Sequence, residues 1–146
     1  MPNPPTGRIL GVDVGTVRIG LALSDVERMV ATPFQTVQAR DQQAAIDAIC
    51  TLIQTHDVQE LVVGLPLDLD GQEGRAAKRT QRFIARLQER ADRPVHWIDE
   101  RLTSAQAERV LIQADRGRAQ RKKVIDQVAA ALILQAHLDR QPRGGA

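Results

Sequence analysis

The chain has 146 residues, 42% of them apolar and 26% charged, with a net charge of +2; this is the composition of one globular domain able to bury a substantial core. One cysteine, Cys50, excludes a disulfide framework, and three scattered histidines with no Cys or Ser partner exclude a Cys/His zinc cluster. Two Phe, one Trp and no Tyr are too few for a module that stacks single-stranded bases on aromatic rings.

In chain order, residues 1–7 hold three prolines and read as a loose tail. They have neither the charged n-region nor the apolar h-region of a secretory signal, and no apolar run approaches the ~18 residues of a membrane span, so a cytoplasmic protein is expected. Residues 9–14 (ILGVDV) and 19–24 (IGLALS) read as two strands joined by the tight turn G-T-V-R. Ile9 and Gly11 share a face with Asp13 while Leu10, Val12 and Val14 take the other, the pattern of a strand covered on both sides. Residues 29–37 (MVATPFQTV) make a third strand, confined to an edge by Pro33, and the three short-linked strands suggest a meander.

Residues 41–55 turn helical, with Ala45, Ile46, Ile49, Leu52 and Ile53 on one side. Residues 60–66 (ELVVGLP) read as a central strand parallel to the first, and 67–74 (LDLDGQEG) as a loop with Asp68 and Asp70 in turn roles. The helix expected over 75–91 sets Arg75, Arg79, Arg82, Arg86 and Arg90 on one stripe and Ala76, Phe83, Ile84, Leu87 and Ala91 on another. Residues 94–100 (PVHWIDE) form the last strand; 101–113 read as a helix capped by Thr103 or Ser104. Residues 114–123 (ADRGRAQRKK) carry five positive charges against one negative, and 124–140 form a nearly all-apolar helix buried on the sheet, with 141–146 a frayed end. The order β-β-β-α-β-α-β-α-α implies an α/β fold, a mixed sheet with helices on both faces, as a single domain over 1–146.

Asp13 is a carboxylate in the middle of an apolar strand, where an unpaired charge costs several kcal/mol. Asp126 opens the buried last helix one turn before Ala129 and Ala130, small residues that let the helix lie close to the sheet. Asp99 and Glu100 end the last strand and, by alternation, point to opposite faces, so only one of them can join Asp13. Ligands of open α/β sheets bind beyond the carboxyl ends of the parallel strands. Three carboxylates gathered there repel one another unless a multivalent cation joins them, and oxygen donors without His or Cys select Mg²⁺ or Mn²⁺. Two such ions ~3.5–4 Å apart suit phosphoryl chemistry. The basic stripe and the segment RGRAQRKK add attraction for a phosphate backbone.

The stretches GVDVGTVRIGLALSD, VVGLPLDLDG, IDERLTS and KKVIDQVAAALILQ resemble, in order and spacing, the four sequence blocks of the YqgF family, also called RuvX, of the ribonuclease H-like superfamily. The resemblance covers roughly residues 8–138. It implies a ribonuclease H-like sheet of order 3-2-1-4-5 with strand 2 antiparallel, and a nuclease dependent on Mg²⁺ or Mn²⁺, with two ions, whose acidic positions fall on Asp13, Glu100 and Asp126. Family members are described as nucleases maturing the precursor of small-subunit ribosomal RNA and as Holliday junction resolvases. The expected function is therefore hydrolysis of phosphodiester bonds in structured nucleic acid, in 5′-end maturation of the 16S precursor. The alternatives are resolution of Holliday junctions in recombination and repair, or a non-catalytic nucleic-acid-binding module of the same fold.

Contacts to nucleic acid, whether precursor rRNA or branched or single-stranded DNA, are expected from Gly15, Thr16, Arg18, Arg75, Arg79, Arg101, Thr103, Arg118, Arg121, Lys122 and Lys123. The protein is expected to be a monomer or homodimer, a four-way junction favouring the dimer. The chain departs from the family pattern at Val17 and Gln127, where Lys is frequent, and at L-T-S, where L-T-T is. Its D-x-G-T hairpin also resembles the phosphate-binding hairpin of actin-like ATPases and sugar kinases, but those enzymes close two large lobes and this length allows one.

Overall fold

A computed structural model describes residues 6–103 and 118–141, with only the helical backbone for 118–123. Five strands, β1 (Arg8–Val14), β2 (Arg18–Ser24), β3 (Ala31–Gln38), β4 (Val58–Leu65) and β5 (Val95–Asp99), form one sheet in the order β3-β2-β1-β4-β5. β2 is antiparallel to β1 and β3, whereas β4 is parallel to β1 and β5 to β4. This is the mixed ribonuclease H-like sheet that the resemblance implies.

Helices α1 (Gln42–Thr55), α2 (Arg75–Ala91) and α3 (Arg118–Arg140) cover it. Strand alternation divides the core between the two faces. Leu10, Val12, Ile19, Leu21, Leu61 and Val63 pack under α1 and α2 with Ile49, Phe83 and Leu87. Ile9, Ala22, Val62 and Ile98 pack under α3 with Ala130, Ile133 and Leu134. On the α3 face the sheet is paved with small residues, and a Cβ on Gly11 would come 2.9 Å from the Ala130 carbonyl oxygen. The helix therefore lies directly against the backbone, which is the close approach that a glycine within a strand permits.

Several boundaries differ from the sequence pattern for local reasons. β3 starts at Ala31 rather than at residue 29, because the Asp25 carboxylate accepts the backbone N–H groups of Met29 and Val30, each at 2.8 Å, and holds both in the preceding turn. α1 starts after Asp41, whose side chain caps it by accepting from the Ala44 N–H. The buried stripe of α2 is Ala77, Thr80, Phe83, Ile84 and Leu87, with Ala76 and Ala91 only half-buried. α3 runs from Arg118, not from residue 124, so Arg118, Arg121, Lys122 and Lys123 belong to the helix. The helix expected over 101–113 starts instead as a 3-10 turn at Glu100–Leu102, and residues 104–117 lie outside the described residues. Among the described residues, no helix is long and apolar enough to cross a membrane.

At the edge of the α3 face, Glu60 of β4 is bonded by Arg28 and by His96 (Nε2 to Oε1, 2.6 Å), and the His96 ring stacks on His137 with centroids 4.7 Å apart. Burial, followed by the charge of His96, holds the His137 pKa below 6.5. Burial pushes the Glu60 carboxyl up, but the hydrogen bond from His96 and the charge of Arg28 outweigh it, and the net shift is below 4.5. In both cases the unfolded chain takes up its proton at a higher pH than the folded one, so acid favours unfolding. The melting temperature should therefore hold above about pH 6.5 and fall below it, with a further fall below about pH 4.5. His137→Leu should remove the upper part of the decline. A melting temperature that does not change between pH 7.5 and 5.5 would contradict the assignment.

Candidate active site

β1 lies between β2 and β4, and alternation turns Asp13 toward α3. Asp13 is 6% exposed. Its lateral neighbours on that face are both glycines. Gly20 of β2 pairs directly with Asp13, and Gly64 of β4 follows Val63, the partner of Val12, and so comes abreast of Asp13 on the other side. With strands spaced about 4.8 Å apart, the carboxylate stands in a gap with no side chain on either flanking strand.

The two other acids reach over these glycines. A Cβ on Gly20 would fall 2.9 Å from Asp126 Cβ and 2.0 Å from its carbonyl oxygen; one on Gly64 would fall 2.8 Å from Glu100 Oε1. Asp126 thus sits above β2 and Glu100 above β4, with Asp13 on the strand between them.

Glu100 arrives by a turn and not by strand alternation. β5 ends at Asp99, whose carboxylate accepts the Arg101 backbone N–H at 3.0 Å and bends the chain into the 3-10 turn. The Thr103 hydroxyl donates to the Glu100 carbonyl oxygen at 2.9 Å and closes it. Glu100 ends up 5% exposed. The expectation that Asp99 and Glu100 diverge because they are successive strand residues is corrected accordingly: they diverge because the strand stops between them. Asp99 pairs with Arg101 (Nη2 to Oδ2, 2.7 Å), whose hydrogen bond holds the Asp99 pKa below the usual carboxylate range.

Arg18 donates from Nε to Asp126 Oδ2 at 2.8 Å, clasping the start of β2 to α3. One edge of its guanidinium is thus engaged by an acid, at a residue from which a nucleic-acid contact is also expected. Gly15 donates its N–H to the Arg18 carbonyl oxygen at 3.0 Å, and Thr16 is exposed at the tip of the same turn. Arg75 is exposed at the start of α2, while Arg79 lines a pocket with Gly15 and Thr16 on the opposite face of the sheet. Arg101 is engaged by Asp99. Arg86 and Arg90, read as part of a solvent stripe, reach across to Gln42 and Asp47 of α1. The side chains of Arg118, Arg121, Lys122 and Lys123 lie outside the described residues.

Among the described residues, no three His, Cys, Asp or Glu side chains converge tightly enough to enclose one ion. Asp13 and Glu100 are buried, and the space a Cβ would take at Gly20 and Gly64 is filled by Asp126, Ile133 and Glu100. An oxygen-only donor set of this kind fits a hard cation, which binds through one or two carboxylates and keeps several waters. Gly20 is a member of the site that sequence reasoning missed, and Gly64, expected near Asp13 and Glu100 as part of a loop, belongs to strand β4. Their signal was present, since a glycine inside an apolar strand marks close approach.

The family model RuvX, described as Holliday junction resolvase, matches residues 7–140. A relative from Moorella thermoacetica named "Putative pre-16S rRNA nuclease" is 46% identical over 138 residues, covering 94% of this chain and 99% of its own. A relative of the same name from a Roseiflexus species is 45% identical over 135 residues, covering 92% and 96%. Among solved structures, RuvC from T. thermophilus in complex with a Holliday junction substrate superposes with a TM-score of 0.54 at 14% identity, over 92% of this chain and 97% of that one, a likeness of fold. Matched by the family model over nearly its whole length and by relatives above 40% identity, the chain belongs to the RuvX family.

Proposed function

We propose that the protein is a divalent-metal-dependent nuclease that hydrolyses phosphodiester bonds of structured nucleic acid, and that it acts in 5′-end maturation of the 16S rRNA precursor. The observation that carries this reading is Asp13, buried between Gly20 and Gly64, with Asp126 and Glu100 standing over those two glycines. The names of the relatives support the substrate.

In this reading Asp13, Glu100 and Asp126 hold Mg²⁺ or Mn²⁺, in one or two positions. A bound ion of this kind supplies Lewis acidity for a water and for the scissile phosphate. The chain's own contribution is rigidity and charge. Asp13 is fixed by pairing on both sides of β1, and Glu100 by the 3-10 turn. Arg18 acts as a positioning residue: its guanidinium fixes the Asp126 carboxylate and offsets part of the repulsion among three acids. Arg75, Arg79 and the basic first turns of α3 draw in the phosphate backbone, so binding weakens as salt rises. The strand is cut to leave a 5′-phosphate and a 3′-hydroxyl.

The test is a cleavage panel in Mg²⁺ and in Mn²⁺, comparing a precursor 16S fragment, a four-way DNA junction and single-stranded DNA, with an EDTA control. Cutting of the RNA at its 5′ maturation site, abolished by EDTA, is the expected result. Preferential, symmetric cutting of the junction would transfer the assignment to Holliday junction resolution. Salt-sensitive binding without cleavage in either ion would leave a non-catalytic module.

A further inference from the structure

Behind the same strand end, on the face away from α3, lies a pocket of about 180 Å³ whose floor is Val14, Ile19 and Phe83 and whose rim includes Gly15, Thr16 and Arg79. Its position relative to the acids follows from strand alternation. Asp13 faces α3, and the next residue, Val14, faces the pocket, so one residue of β1 separates the two sides. The β1–β2 turn is the ridge between them.

Arg79 is the unusual member. Its Nε is buried and has no hydrogen-bond partner among the described residues. The arginines farther along the same helix, Arg86 and Arg90, reach partners on α1, whereas Arg79 lines the pocket. A guanidinium N–H shut away from water without an acceptor is unfavourable. Its natural complement is an anionic oxygen, and Arg pairs with phosphate more strongly than a neutral donor does. The apolar floor lowers the dielectric on the side where the Nε is buried and strengthens that preference there. Thr16, exposed at the rim, brings a hydroxyl within the same turn.

We infer that this pocket is a second phosphate subsite: it takes a non-scissile phosphate near the one cut at Asp13, so that the strand bends over the β1–β2 turn with one phosphate on each side of the sheet end. The inference rests on the nuclease reading above and adds to it a fixed register. A cut would require a charged phosphate at a set offset from the scissile bond, on one side of it.

Offset is what the experiment reads. A structured fragment of the 16S precursor that spans its 5′ maturation site is prepared as a series, each member carrying one neutral methylphosphonate linkage near that site, and the cut positions are mapped with the full chain. A methylphosphonate should suppress by about tenfold the cut lying at one fixed offset from it, the effect of losing one charge-assisted contact. In Arg79→Gln the cut should be weak throughout and indifferent to the methylphosphonate at that offset. Ala39 also lines the pocket, and Ala39→Leu, which fills it from its apolar side and leaves Arg79 in place, should behave the same way and guards against a folding defect in the arginine variant. An abasic nucleotide at the offset, with its phosphate kept, should leave the cut unchanged.

Cutting that shows no offset, or an offset unaltered by both variants, would overturn the subsite and leave the nuclease intact. Suppression by the abasic nucleotide instead of the methylphosphonate would make the pocket a base site and overturn the inference. Absence of any cleavage would overturn both readings.

Discussion

Asp13→Asn is expected to yield a folded protein that cuts at least ~100-fold more slowly than the unaltered chain. The substitution keeps shape and one carbonyl acceptor and removes a single negative charge from a side chain that is 6% exposed. Loss of a residue that merely supports a metal ligand costs about 10- to 100-fold, so loss of a direct ligand should reach at least the top of that range. Stability should move little, because the amide also relieves repulsion from Glu100 and Asp126. A change in unfolding free energy under about 1 kcal/mol is typical where no cavity or unpaired buried charge is created. Single-turnover cleavage and a thermal melt on the same preparation separate the two effects. Retained turnover in a well-folded variant would remove Asp13 from the catalytic group.

Gly20→Ala should be the most damaging single methyl that can be added to the site. The new Cβ would lie 2.0 Å from the Asp126 carbonyl oxygen and 2.4 Å from its carbonyl carbon. Both atoms are backbone, so α3 itself must move, at a cost of about 1–3 kcal/mol or more. The shift also carries Asp126 off the Arg18 contact, and cleavage should fall further than the lost stability explains. Gly64→Ala is the informative comparison. There the Cβ would meet Ile133 Cδ1 at 2.6 Å and Glu100 Oε1 at 2.8 Å, the far ends of side chains that can turn aside. Its melting point should fall less, while activity still drops because Glu100 is displaced. Equal losses of stability at Gly20 and Gly64, measured by denaturant midpoint, would contradict this account of the two contacts.

The parts of the fold that the sequence declares are those where a periodic pattern meets one clear environment. β1 alternates around Asp13 because both of its faces are covered, and the apolar surface of α3 matches a helix pressed on glycine-rich strands. Legibility fails where side chains, not periodicity, set the outcome. The Asp99 carboxylate ends β5 one residue early and moves Glu100 from a strand to a turn. Arg86 and Arg90 are exposed, as the helical wheel has them, but the wheel does not show that their length also lets them reach α1. The first turns of α3 fall outside the helix expected over 124–140 because their charge breaks the apolar pattern that marks it, although Arg, Gln and Lys are good helix residues. The three acids are visible as residue types. Their arrangement over Gly20 and Gly64 depends on strand register, which no single segment contains.

The contact between Arg18 and Asp126 spans 108 residues of sequence. Asp13 is set locally, within a hairpin that can pair as soon as its two strands exist, whereas Asp126 arrives only when α3 docks on β1, β2 and β3. Such long-range closure comes late in folding, since the entropy of a large loop must be overcome first. The acidic group is therefore assembled as a last step: under the proposed function, a partly folded chain would present basic residues to nucleic acid while still lacking the arrangement that cuts it.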